Sequence, residues 1–414
     1  MIDERLAALE RALWQAPPHA VADAAMAAVT AAFEAQATEL WLVDYQVAYL
    51  VPAGTGGEPL RIEQTLPGRA FASQQTVREP LTAVPGQAPD AATPVRLHLP
   101  LTVYGDRLGV LSVEFGQAPT PEQSEGLAGA AIVLARALAV ADSRTDTYRR
   151  IRRRARLTLA AEIQWDLLPG RACVADEYSM AGQLEPAYAV WGDNFDWSAA
   201  PDHLTVTVTN GMGQGIEAAL LTQLTISALR NARRAGADLI EQAMLANEAI
   251  YAQHRGDRHV GTLLLRFDLE TGRVRAIDAG SPKVYRLRRG AVTPIELEPQ
   301  LPLGMFNDSD YLEQDFELAP GDRMIIVSDG VHNFMTPTGE IYGTFILPHA
   351  FGQTRLQNPP EVVRTLMREV LNYNTDTGLA DDAVIVCLDW TGRPLSPQTV
   401  QPRLPGGDNP ESHP

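Results

Sequence analysis

Acidic residues in this chain gather at short, punctuated sites whose chemistry suits hard cations. Asp193 and Asp196 stand in Trp191-Gly192-Asp193-Asn194-Phe195-Asp196. Asp329 stands in Ser328-Asp329-Gly330, and Asp381 and Asp382 are neighbours. Mg²⁺ and Mn²⁺ prefer oxygen ligands and keep several waters, so a few carboxylates suffice to hold them. Two such ions lower the pKa of a shared water and clamp a displacement at phosphorus, which is what phosphate-ester hydrolysis requires. Between the clusters runs Thr209-Asn210-Gly211-Met212-Gly213-Gln214-Gly215, a glycine-rich turn that lets backbone approach a ligand closely.

These residues need rigid elements to bring them to one point. Leu204 to Val208 alternates as a strand ahead of the glycine turn, and Ile216 to Arg234, rich in Ala and Leu, predicts a helix after it. Asp193 follows Val190-Trp191, Asp329 follows Met324 to Val327, and Asp381 precedes Ala383 to Leu388, a strand by its branched residues. Each motif has a plainer reading. Ser328-Asp329-Gly330 alone suits a type I turn. Asp196 suits a hydrogen-bonded structural carboxylate as well as a group supporting a metal ligand. The glycine turn alone suits a tight strand-to-helix connection.

Length and composition narrow the setting. The 414 residues are enough for two domains, and 45% hydrophobic content provides a sizeable core. A net charge of −17 argues against nucleic acid or an anionic membrane surface as partner. Two cysteines, Cys173 and Cys387, make no disulfide framework, so a reducing cytoplasm is expected. The N-terminal residues lack the pattern of a signal peptide, and no membrane span is expected.

In the N-terminal half, Leu6, Leu9 and Leu13 fall at helical spacing up to Pro17-Pro18, and Val21, Ala25, Val29 and Phe33 mark a second helix. Leu40 to Tyr45 and Ala48 to Val51 read as strands. Val95 to Val103 and Leu108 to Phe115 form a hairpin about Gly105-Asp106. Thr120-Pro121-Glu122 starts a helix that runs to about Val140. This order over residues 1–140 resembles a GAF sensory domain, which implies an unidentified small ligand or a dimerisation role. Residues 141–169 read as one connecting helix with a run of arginines from Arg149 to Arg156. The run suits a phosphate or nucleic-acid patch or, in a chain this acidic, a solvated face. Leu159, Ile163 and Leu167, four apart, are able to pack between domains or across a homodimer. Residues 391–414, with six prolines, read as a disordered tail.

Ala161 to Pro169 is similar to the segment that leads into the catalytic domain of bacterial sporulation and stress-response phosphatases. These form the SpoIIE-like branch of the metal-dependent (type 2C) serine/threonine protein phosphatases. The resemblance continues in order through Val190 to Asp196, Asn210 to Gly215, Ala279-Gly280-Ser281-Pro282, Ser328 to Val331 and Asp381 to Val386. It implies an α+β chain: a GAF-like sheet with flanking helices, the connecting helix, and a β-sandwich flanked by helices at 170–390. It also implies two Mn²⁺ or Mg²⁺ ions held by Asp193, the 210 position, the Gly211 carbonyl, Asp329 and Asp381, with Asp382 as ligand or support. Ser281 replaces the family's usual His, and its role is read as structural.

The departure is Asn210, which stands at the bridging carboxylate. An amide oxygen carries no charge and bridges two cations poorly, so metal affinity and water activation both fall. Two readings follow. One is a phosphoserine/phosphothreonine phosphatase under GAF control, with a phosphorylated STAS-domain protein as substrate in partner switching. The other is a catalytically impaired relative that binds the phosphoprotein without turnover. A third, a GAF protein whose C-terminal half only dimerises, leaves Asp193, Asp329 and Asp381 unexplained.

Overall fold

Alternating and helical hydrophobic patterns sort the N-terminal half into one sheet with helices on both faces. Helices α1 (Ile2–Gln15) and α2 (Val21–Phe33) precede strands β1 (Ala37–Val43), β2 (Tyr49–Pro52) and β3 (Leu60–Arg61). Helix α3 (Leu66–Ser73), strands β4 (Val77–Pro80), β5 (Val95–Val103) and β6 (Asp106–Phe115), and helix α4 (Pro121–Asp142) complete it. The chain described is a computed structural model covering residues 2–54, 56–81, 94–154, 157–186, 190–280, 282–333, 341–373, 379 and 381–393. The strands lie in the order β3-β2-β1-β6-β5-β4. Leu97, Leu99, Leu111 and Val113 face α1, α2 and α4, while Trp41, Val43 and Val110 face Phe71 of α3. Thr120 caps α4 by accepting from the Gln123 amide, and Gln123 reciprocates to the Thr120 amide.

Two expectations change here. The stretch 121–142 has the length and apolarity of a membrane span after all. Its Leu127, Leu134 and Leu138 are buried in the core of this half. The connecting segment is also not one helix. It comprises α5 (Thr147–Arg152) and α6 (Leu159–Leu167), separated by extended backbone at Arg153 and Thr158. Thr158 stops the helix from running through, because its hydroxyl accepts the Ala161 amide as an N-cap. The buried side of α6 carries Ala160, Ala161, Gln164 and Leu167, while Leu159 is exposed. Two of the arginines fold back, Arg152 bonding the Val43 carbonyl at 3.0 Å and Arg149 bonding Asp166 at 2.8 Å, while Arg150, Arg153 and Arg154 are exposed and Arg156 lies outside the described residues.

The C-terminal half is a sandwich of two antiparallel sheets. One orders β15 (Gln314–Glu317), β12 (Arg273–Ala279), β11 (Val260–Asp268), β10 (His203–Gly211) and β9 (Asp193–Ala199). The other orders β14 (Ala291–Pro294), β13 (Lys283–Arg288), β16 (Asp322–Val327), β17 (Ala383–Trp390), β8 (Tyr178–Glu185) and β7 (Ala172–Val174). Phe195, Val206, Val208 and Leu265 of the first sheet meet Met180, Leu184, Ile326 and Val386 of the second. The alternate residues of each strand point outward and need a second cover. Helices α7 (Gly215–Arg234) and α8 (Leu239–His254) cover Leu264 and Ile277. On the other side lie short helices α9 (Asp329–His332) and α10 (Tyr342–Phe345). Helices α11 (Leu347–Gln353) and α12 (Pro359–Tyr373) cover Ile325, Ile385 and Cys387 there. The result is the helix-flanked β-sandwich expected. Ser281 and residues 394–414 lie outside the described residues.

The halves meet along a polar seam. Arg107 pairs with Glu361 at 2.5 Å and bonds Asn358 at 2.8 Å. Arg171 donates to the carbonyls of Asp44 and Tyr45 at 3.2 and 2.8 Å. The Tyr45 ring lies flat on Trp165 of α6, with centroids 4.6 Å apart.

Candidate metal centre

Strand pairing brings the acidic residues to one end of the sandwich. Asp193 opens β9 and stands opposite Asn210, near the end of β10. Asp329 follows β16, and Asp381 and Asp382 precede β17. β16 pairs with β17 with Val327 opposite Ile385, and Ser328 extends that pairing through its amide to the Val384 carbonyl at 3.0 Å. The Ser328 hydroxyl accepts the Val384 amide at 3.0 Å, so this strand end is fixed twice. The two sheets touch at the Asn210 amide, which donates to Asp329 Oδ1 at 2.5 Å.

The two adjacent aspartates have separate tasks. Asp382 is fully buried. Its Oδ2 accepts the amides of Trp191 and Gly192 at 2.8 and 2.9 Å, and the Gln164 side chain at 2.8 Å. Convergent backbone amides of this kind make an anion-binding concavity. Gly192 completes it with φ +96°, a left-handed conformation that suits glycine. Asp382 therefore fixes the turn that delivers Asp193. Asp381 lies within electrostatic reach of Asp329 instead, and its Oδ1 accepts the Asp382 amide at 2.8 Å. Burial, then the Asp329 charge, push its pKa up to about 7.

Asp193 is the least compensated group. It is wholly buried, and neither carboxylate oxygen accepts a hydrogen bond of normal geometry. Burial first, then the charges of Asp382, Asp329 and Asp381, raise its pKa well above the usual carboxylate range, and the Ser328 hydroxyl offsets this only in part. Orphaned buried oxygens among other carboxylates suit a hard cation. Position 210 suits a second, bridging ion poorly, because its amide oxygen carries no charge and its amide nitrogen donates a hydrogen bond to Asp329. Among the described residues, no three His, Cys, Asp or Glu side chains are arranged to enclose a metal ion.

The remaining expected residues are placed as follows. The Gly211 amide donates to the Gly192 carbonyl at 3.1 Å, and Thr222 of α7 donates to that carbonyl at 2.6 Å. The carboxylate of Asp196 belongs to a different cluster, bonded by Arg230 at 2.7 Å and Arg233 at 3.0 Å. Gln164 is the residue that sequence reasoning missed. Besides Asp382 it bonds the Asp193 carbonyl at 3.0 Å, and its own carbonyl accepts from Asn194 at 3.1 Å. The signal available was a buried-side glutamine inside the Ala161 to Pro169 motif.

Comparison with known proteins finds similarities over part of the chain. Residues 200–391 match the sequence model of the family described as stage II sporulation protein E, SpoIIE. This part of the chain is thus similar to that family; Asp193 falls just ahead of the matched residues. Protein IcfG of Synechocystis is 22% identical over 263 residues, which cover 57% of this chain and 41% of IcfG. The chain thus spans less than half of that relative. Phosphoserine phosphatase RsbU of Bacillus subtilis is 21% identical over 233 residues, covering 56% of this chain and 69% of RsbU. A solved structure of the RsbU and RsbW domains of Rv1364c from Mycobacterium tuberculosis is 21% identical. It covers 55% of this chain and 63% of that one, with a TM-score of 0.46.

Proposed function

We propose that residues 170–390 form a metal-dependent phosphatase for phosphoserine or phosphothreonine in a protein, working in the cytoplasm. A phosphorylated STAS-domain protein is the proposed substrate class, and residues 1–140 the proposed GAF-type regulator, with an unidentified small ligand. The observation that carries this reading is Asp193, a buried carboxylate whose oxygens accept no hydrogen bond of normal geometry, within electrostatic reach of Asp329 and Asp381. Burying an uncompensated carboxylate is costly, and a divalent cation relieves the cost. Asp193, Asp329 and Asp381 would hold Mn²⁺ or Mg²⁺, which supplies an activated water and neutralises phosphoryl charge. The protein's own part is positional: Asp382 and Gln164 fix the Trp191–Asp193 turn, and Ser328 holds β16 to β17 beside Asp329.

A second reading has its own support. Asn210 spends its amide on Asp329 and adds no negative charge, so the domain is equally suited to binding a phosphoprotein with little or no turnover. Hydrolysis of p-nitrophenyl phosphate with Mn²⁺ separates the two, measured on the chain as written and on Asn210→Asp. The Asp form is expected to turn over at least about tenfold faster, from restored charge at the metals. Activity in both forms supports the phosphatase reading. Activity in the Asp form alone makes the natural chain a binding module. No Mn²⁺-dependent activity in either form removes the phosphatase reading.

A further inference from the structure

The ladder between β10 and β11 does not stop at Gly211. It continues through the Met212 amide to the His259 carbonyl at 3.2 Å, which carries Arg258 over the glycine turn. There the guanidinium lies directly against Gly213. A Cβ at position 213 would run into Arg258 Nη1, and Gly213 also has φ +104°. The other guanidinium nitrogen, Nη2, pairs with Glu217 in the first turn of α7. Arg258 is 33% exposed and Glu217 67% exposed. An ion pair this open adds little to stability. It does orient a planar fork of N–H donors at the mouth of the site: Arg258 stands three residues before Gly261, which pairs with Asn210, and abuts the turn that follows Asn210.

A phosphomonoester dianion approaching Asp193, Asp329 and Asp381 meets negative charge. Recognition therefore needs a cation outside the carboxylate cluster, and a guanidinium matches two phosphoryl oxygens at once. Glu217, solvated and held by a weak pair, can yield that fork to a more highly charged phosphate. We propose that Arg258 binds the phosphoryl group of a phosphoserine or phosphothreonine partner at this site, with Glu217 and the bare Gly213 as its positioning residues. The inference rests on the phosphatase-domain reading and deepens it, because it assigns phosphate recognition to a residue independently of turnover.

Calorimetric titration of the full chain with inorganic phosphate in the presence of Mn²⁺ tests it without requiring hydrolysis. Arg258→Ala should weaken phosphate binding about tenfold or more, the scale of losing charge-assisted hydrogen bonds. Arg258→Lys should recover part of the loss, and Gly213→Ala should weaken binding by displacing the guanidinium. Mn²⁺ affinity and thermal midpoint in Arg258→Ala should stay at wild-type values. Equal phosphate affinity in wild type and Arg258→Ala, or no phosphate binding by the wild type, overturns the proposal. The phosphatase reading stands or falls separately, on Mn²⁺-dependent hydrolysis by Asn210→Asp. In that background Arg258→Ala should raise KM for p-nitrophenyl phosphate more than it lowers kcat, and an unchanged KM counts against the proposal.

Discussion

Two aspartates on β9, Asp193 and Asp196, are both buried, yet their surroundings are opposite. Asp196 is closed off by the chain itself: Arg230 grips one oxygen through Nε and Nη2, and Arg233 takes the other. Asp193 receives no such partner and faces other carboxylates instead. The sandwich compensates one buried charge from its own helix and gives the other no counter-charge from the chain. The two carboxylates are thus told apart by what surrounds them, since both are buried.

The contrast breaks most sharply at Asp196. Asp196→Asn leaves Arg230 and Arg233 without a counter-charge and should cost about 3 kcal/mol in urea unfolding. A cost below about 1 kcal/mol would mean that the cluster is a surface ornament of the fold. The matching change at Asp193 should have the opposite sign. Asp193→Asn removes an uncompensated charge, so the metal-free protein at pH 8 should gain about 1 kcal/mol or more, and Mn²⁺ should no longer raise its thermal midpoint. A destabilised Asn variant would show that Asp193 is paired within the chain.

A third effect expected is one of pH. Asp381 has its folded pKa raised from 3.8 to about 7, so between these values the folded chain holds a proton that the unfolded chain has lost. Its contribution to stability is full below about pH 4 and is lost as pH rises to 7. The thermal midpoint of metal-free protein should therefore carry a component that falls across this window and is absent in Asp381→Asn. A slope identical in both proteins would remove Asp381 from the cluster.

Much of this arrangement could be read from residue order. Asp193, Asp329 and Asp381 stand at strand ends beside glycine or a second acid, and that punctuation survives in sequence. The strands β10, β16 and β17 announce themselves by alternating or branched residues, as do the helices α1, α2, α4 and α7. What stayed hidden depends on contacts across long separations. Gln164 reaches Asp382 over 218 positions, and Arg230 reaches Asp196 over 34. Arg230 has no local pattern to mark it, and Gln164 has only its place inside the Ala161 to Pro169 motif. Asp381 and Asp382 could not be assigned by adjacency alone; only the turn at Trp191–Gly192, which meets Asp382, divides their tasks. The connecting segment misled because the hydrophobic spacing at Leu159, Ile163 and Leu167 lies wholly inside α6 and does not register the break ahead of it. Thr158, a good N-cap, carries the local signal for that break.

The neighbours Gln164 and Trp165 tie two distant places to one turn of helix. Gln164 holds the backbone of Asp193, while the Trp165 ring lies against Tyr45 in the other half of the chain. Any free energy passing between those places through α6 is symmetric by linkage. If a cation at Asp193 tightens the Tyr45 stack by some factor, then whatever seats Tyr45 tightens cation binding by that same factor. A tyrosine far from the chemistry can thus be titrated by Mn²⁺, and its fluorescence quenching by Trp165 would report the occupancy of a site it never touches.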